Sequence, residues 1–148
     1  MPEIKFSPKT CSIVDERGEI AAMYKGTPQN DVGKFTDVID NVSKEIGINM
    51  VIRSMAPQIV ICDEIGSQED ILSIRKATCS GVKGVFTAHS ESIEEVFQNK
   101  NLKELIEDKL IKRIIVLDSK VKGKIKDVWE DKMCSKIEND AYKYKEVS

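Results

Sequence analysis

No stretch of the 148-residue chain approaches the roughly 20 consecutive apolar residues of a membrane-spanning helix. The tract Ile59-Val60-Ile61-Cys62 is far shorter. The start, Met1-Pro2-Glu3-Ile4-Lys5, lacks the apolar core and cleavage pattern of a secretion signal, so the expected location is the cytoplasm. Cysteine is sparse and scattered. Cys11, Cys62, Cys79 and Cys134 form no C-x-x-C pair, and with His89 as the one histidine no four-ligand zinc site arises at a standard spacing. Reduced, structural thiols are expected. Aromatic residues are only 5% of the chain and make no aromatic-basic stripe; with a net charge of −2 this argues against nucleic-acid binding. Glycine-rich phosphate loops are missing as well: neither G-x-x-x-x-G-K-[ST] nor G-x-G-x-x-G occurs.

What is present reads as a soluble globular protein, 41% hydrophobic and 32% charged, of a length that suits one compact domain with a single core. Short β-branched runs at Cys11–Val14, Gln58–Cys62, Gly84–Ala88 and Arg113–Leu117 predict buried strands. Between them, Ser67 and Asp70 resemble a capping box that opens a helix, with Ile71, Ile74 and Thr78 at helical spacing and Gly81 as the stop. Further helices are predicted from Lys44 to Met55, from Ser90, and around the apolar face of Leu102, Leu105 and Ile106. Alternating strands and helices predict an α/β fold: three layers, with a mostly parallel sheet covered on both faces. The exception comes last, where Lys112–Leu117 and Ile125–Trp129 predict an antiparallel hairpin with a charged loop. Lys25 to Asp37 is the longest expected loop, and Lys132–Ser148 is a polar tail, helical or frayed.

In open α/β sheets, ligands bind beyond the carboxyl ends of the strands. Those ends here carry Asp15, Glu16, Arg17 and Glu19, then Asp63 and Glu64, then His89. Nucleotide hydrolysis uses such a rim: one carboxylate holds Mg²⁺ through water, a neighbour polarises the attacking water, and a polar sensor on the next strand meets the terminal phosphate. Each piece also has a plainer reading. Asp63 and Glu64 could cap a helix, His89 could serve a turn, and Asp15, Glu16 and Arg17 could form a surface ion pair worth under about 1 kcal/mol.

Several motifs in order are more specific than any one. Ile13-Val-Asp-Glu-Arg-Gly-Glu-Ile20, Gly26-Thr-Pro-Gln-Asn-Asp-Val-Gly33, Thr36-Asp-Val-Ile39, Ile52-Arg-Ser-Met-Ala-Pro57, Asp63-Glu-Ile-Gly66, Glu69-Asp70 and Thr87-Ala-His89 resemble the stage III sporulation protein AA family. These are RecA-like ATPases of endospore-forming bacteria, related to type II and type IV secretion ATPases, and the resemblance runs from about Thr10 to Leu117. It implies a RecA-like P-loop NTPase sheet without its Walker A strand. By position it implies that Asp15 and Glu16 are the acidic Asp box, Asp15 on the metal and Glu16 in catalysis. Asp63 would assist Mg²⁺, Glu64 would be the general base, and His89 would form the His box near the γ-phosphate. Arg17 and Arg53 are implied as phosphate or subunit-interface arginines. Ser67 departs from the family, where a basic residue often follows Asp-Glu-Ile-Gly.

The resemblance also implies ATP and Mg²⁺ as cofactors of the complete protein, a homo-oligomeric ring read as a hexamer, and membrane proteins of a sporulation complex as partners. No nucleic acid is expected, and the place is the cytoplasm, peripheral at the membrane through those partners. On this reading residues 1–148 are the C-terminal portion of the ATPase domain, inactive alone for want of a phosphate loop. The Walker A strand would lie between Gly84–Ala88 and Arg113–Leu117, so those strands are expected either to close together or to take another segment between them. The alternative is a non-enzymatic interaction or oligomerisation module built on the same fold.

Overall fold

The computed structural model describes residues 8–130 and 135–136. In chain order the elements are β1 (Cys11–Asp15), β2 (Met23–Tyr24), β3 (Thr27–Pro28), β4 (Thr36–Asp40), α1 (Lys44–Ser54), β5 (Ile59–Cys62), α2 (Gln68–Cys79), β6 (Lys83–Phe86), α3 (Ile93–Gln98), α4 (Lys100–Glu107), β7 (Arg113–Leu117), β8 (Ile125–Glu130) and β9 (Ser135–Lys136). In place of the single core expected from length, the chain divides into two compact units, Met1–His89 and Ser90–Ser148.

The first unit is an α/β layer structure. Its four strands run β4-β1-β5-β6, all neighbouring pairs parallel. Ser12, Val14, Val60 and Cys62 are all buried, and in register Ser12 stands beside Val60 and Val14 beside Cys62. Their alternation with Ile13 and Ile61 places them on one face of the sheet. Helices α1 and α2 pack side by side and bury Ile48, Val51, Ile71 and Ile74. Gly47 lets α1 approach the sheet closely: a Cβ there would stand 2.3 Å from Val14 Cγ1. The capping box predicted for α2 is present. Ser67 Oγ accepts from Asp70 N at 3.1 Å, and the buried Asp70 carboxylate accepts from Ser67 N at 3.1 Å and from Gly66 N at 3.0 Å.

The expected loop from Lys25 to Asp37 is shorter than predicted. It holds part of a small antiparallel hairpin, β2–β3, and the start of β4, which pairs with β1 from Cys11–Thr36 to Asp15–Asp40. Strand β4 lacks a continuous apolar run because it lies at the sheet edge, where only Val38 and Ile39 need an apolar setting.

The second unit joins α3 and α4 with a three-stranded antiparallel sheet in the order β7-β8-β9. Its core holds Ile93, Leu102, Leu105, Ile106 and Val128, and Phe97 meets Trp129 edge-on at 6.3 Å between centroids. The hairpin predicted at Lys112–Leu117 and Ile125–Trp129 is formed by β7 and β8, with a register shift between Val116 and Leu117. Of the predicted polar tail, residues 135–136 form β9, and the rest lies outside the described residues. The strands expected either to close together or to take another segment between them, β6 and β7, belong to different sheets. Strand β6 is an edge of its sheet, and β7 bonds only to β8 among the described residues.

Candidate functional site

Because β1, β5 and β6 are parallel and adjacent, their carboxyl ends share one rim of the sheet. The ladder between β5 and β6 continues one step beyond the strands: Thr87 N donates to Cys62 O at 3.3 Å and Ile65 N donates to Thr87 O at 2.8 Å. Between these bonds Glu64 takes a left-handed backbone, φ 45°, and its N–H donates to Thr87 Oγ1 at 3.0 Å. A glutamate in that region is strained, and strain of this kind persists where neighbours over-determine it. Thr87 supplies that support.

The left-handed turn brings the Glu64 carboxylate between two partners. Oε2 pairs with Arg17, and Oε1 lies 3.0 Å from His89 Nε2. Glu64 is mostly covered, its side chain 23% exposed, whereas Arg17 and His89 are open at 53% and 89%. Three of the residues predicted from sequence therefore meet at one carboxylate, one from each strand end.

The other predicted residues are distributed differently. Asp63 is buried, and its Oδ2 has no hydrogen-bond partner. A buried carboxylate oxygen without a partner fits a missing cation or water. Among the described residues no three His, Cys, Asp or Glu side chains assemble to hold a metal. Asp63 could therefore serve a divalent ion only with oxygens from phosphate and water, the usual arrangement for Mg²⁺.

Glu16 pairs with Lys44 Nζ at 3.0 Å. Burial would lower the Lys44 pKa, but the Glu16 hydrogen bond and the charges of Asp70, Glu16 and Asp63 outweigh it and hold the ammonium above its ordinary value. Glu16, Lys44, Glu64, Ser67 and Asp70 line an open cleft at the N-terminal ends of α1 and α2. Lys44 was not found from sequence; its only signal there is its place directly after the N-cap Ser43.

Two further predicted residues are placed apart from these groups. Asp15, expected on the metal, is fully buried, and its carboxylate accepts from the N–H groups of Glu19 (2.9 Å), Ile20 (3.1 Å) and Ala21 (2.8 Å). It organises the segment after β1. Arg53, implied as a phosphate or subunit-interface arginine, lies exposed in the last turn of α1, about 13 Å of helix rise from Lys44.

Comparison with known proteins gives three findings. The sequence model of the family described as "Sporulation stage III, protein AA" matches residues 5–136. The "Stage III sporulation protein AA" of Bacillus subtilis strain 168 is 40% identical over 116 residues, which are 78% of this chain and 38% of that protein. Among solved structures, the Legionella pneumophila ATPase DotB shares the fold with a TM-score of 0.54 at 11% identity, over 82% of this chain and 37% of that one. The chain thus spans under two-fifths of the length of either relative.

Proposed function

Since the chain belongs to the sporulation stage III protein AA family, we propose that it carries the water-activating part of an ATPase site whose phosphate loop lies elsewhere in the complete protein. The observation that carries this reading is Glu64, a covered carboxylate held in a strained turn between Arg17 and His89 at a strand-end rim. In the proposed reaction Glu64 accepts a proton from the attacking water. His89, two residues beyond the Thr87 clamp, meets the terminal phosphate, and Arg17 leaves Glu64 to balance phosphate charge. Asp63, with its unpartnered oxygen, would hold Mg²⁺. Bound there, Mg²⁺ would neutralise charge on the phosphate oxygens. Glu16 orders the cleft through Lys44.

On this reading the complete protein works as a cytoplasmic homo-oligomeric ring, a hexamer, docked on membrane proteins of a sporulation complex, with Arg53 at a subunit interface. The isolated chain is inactive because its sequence has no G-x-x-x-x-G-K-[ST] to position the γ-phosphate. The edge of β6, unpaired among the described residues, favours a second reading, an interaction module that accepts another strand.

The test is a chimera in which this chain replaces the matched segment of the Bacillus subtilis relative. ATP turnover should fall by about 100-fold or more with Glu64→Gln, the scale expected for losing a general base. Turnover unchanged by Glu64→Gln, or turnover by the isolated chain that Glu64→Gln abolishes, would overturn the proposal.

A further inference from the structure

Charge is unevenly spread along the chain. From Lys109 to Lys126 it carries six lysines and Arg113 against one acid, Asp118, a formal +6 inside a protein whose total is −2. Four of the six lysines, Lys120, Lys122, Lys124 and Lys126, lie in or directly beside the turn between β7 and β8, with Asp118 as the one acid there. Asp118 Oδ1 accepts from Lys120 N at 2.8 Å and Val121 N at 2.9 Å, while Asp118 N donates to Lys124 O at 2.8 Å. The acid is spent on shaping the turn, and those bonds hold its pKa below the usual carboxylate value. Lys120, Lys122, Lys124 and Lys126 are all exposed, and none makes an ion pair among the described residues. Apolar side chains are exposed beside them: Val121 at 52%, Leu117 at 60% and Ile115 at 51%. The outer edge of β7 carries no paired strand among the described residues.

We propose that the β7–β8 turn is a docking tip for an anionic lipid surface, with lysine ammonium groups on the headgroup phosphates and Val121 and Leu117 at the acyl boundary. The charge is carried by lysine, a compact point charge suited to diffuse phosphate groups, while the one arginine, Arg113, pairs with Glu130. Exposed aliphatic side chains flank the charge, and residues 109–128 contain no aromatic residue on which a nucleic-acid base could stack. An acidic bilayer supplies both the negative surface and the apolar layer that this tip matches. The proposal is independent of ATP hydrolysis.

The experiment is flotation of the full 148-residue chain with vesicles of phosphatidylglycerol and phosphatidylcholine, against vesicles of phosphatidylcholine alone. The chain should float only with the acidic vesicles, and binding should weaken as salt rises from 50 to 300 mM. The triple change Lys120→Gln, Lys122→Gln, Lys124→Gln should lower binding by about tenfold or more. The same loss of charge at Lys9, Lys34 and Lys83, exposed lysines of the first unit, should lower it far less. Leu117→Ser should weaken binding without changing its salt dependence. Equal binding to neutral vesicles, equal effects of the two triple variants, or tighter binding to single-stranded DNA or a polyglutamate peptide than to acidic vesicles would overturn the proposal.

Discussion

Three backbone N–H groups converge on the Asp15 carboxylate, which has no exposed surface. Asp15→Ala would leave three donors without their acceptor, and a hydrogen bond to a charged group contributes about 1.5–3 kcal/mol. The expected loss is about 3 kcal/mol or more in urea unfolding at pH 7, with faster amide exchange at Glu19, Ile20 and Ala21. Asp15→Asn should fall between the two, since it keeps one good acceptor. A loss under about 1 kcal/mol for Asp15→Ala would show that the segment after β1 does not depend on it. The residues of the site differ in how far the sequence reveals them. Asp63, Glu64 and His89 are legible because they follow the short apolar runs at Gln58–Cys62 and Gly84–Ala88. The role of Asp15 is not, since it depends on the backbone of residues 19–21 turning back toward β1. The part Thr87 plays is hidden for a similar reason: its hydroxyl matters only because Glu64 is left-handed.

Among the elements, α1 sets two effects against each other at Gly47. Alanine there gains about 1 kcal/mol of helix propensity. The same Cβ would lie 2.3 Å from Val14 Cγ1 and 3.2 Å from Val42 Cγ2. Overpacking of this kind costs about 1–3 kcal/mol, and Val14 sits in a central strand with one stiff rotamer, so the clash wins. Gly47→Ala should therefore lower stability by about 1–2 kcal/mol in urea unfolding. In the Gly47→Ala background, Val14→Ala should cost less than it does alone, the coupling a double-mutant cycle reads directly. A stabilised Gly47→Ala protein would refute the close approach. Helices α1, α2 and α4 were legible because their apolar spacing, the Ser67–Asp70 box and Pro57 all agree. Strands β2, β3 and β4 were not, because two are two-residue strands and the third is a mixed edge strand bounded by polar residues.

At the scale of the whole molecule, length suggested one core and the chain forms two units, a division that residue count cannot reveal because each unit has its own sheet. Two groups of the first unit, Cys62 and Lys44, hold their protons above the ordinary pKa. Burial pushes the Cys62 thiol from 9.0 up to about 12, and the Asp70 charge adds to it. Lys44 is raised above 10.5 because Glu16, Asp70 and Asp63 outweigh its burial. In each case the folded protein binds the proton more tightly than the unfolded chain. The stabilisation is therefore complete below the unfolded pKa and is lost as pH rises through the folded one. For Cys62 the loss begins near pH 9, where the unfolded thiol ionises while the folded one stays neutral; Lys44 adds to it above pH 10.5. The urea midpoint should hold steady from pH 7 to 8.5 and then fall, with Cys62 contributing on the order of 2 kcal/mol by pH 11. Cys62→Val removes the titrating thiol at similar volume and should flatten the first part of that fall, and Lys44→Met should flatten the last. The same burial makes a chemical prediction at pH 8: iodoacetamide should label exposed Cys79 readily and Cys62 only after unfolding, as mapped by mass spectrometry. Rapid labelling of Cys62 in the native protein, or a midpoint in Cys62→Val that falls as steeply as in the parent, would place the thiol at the surface and remove the alkaline argument.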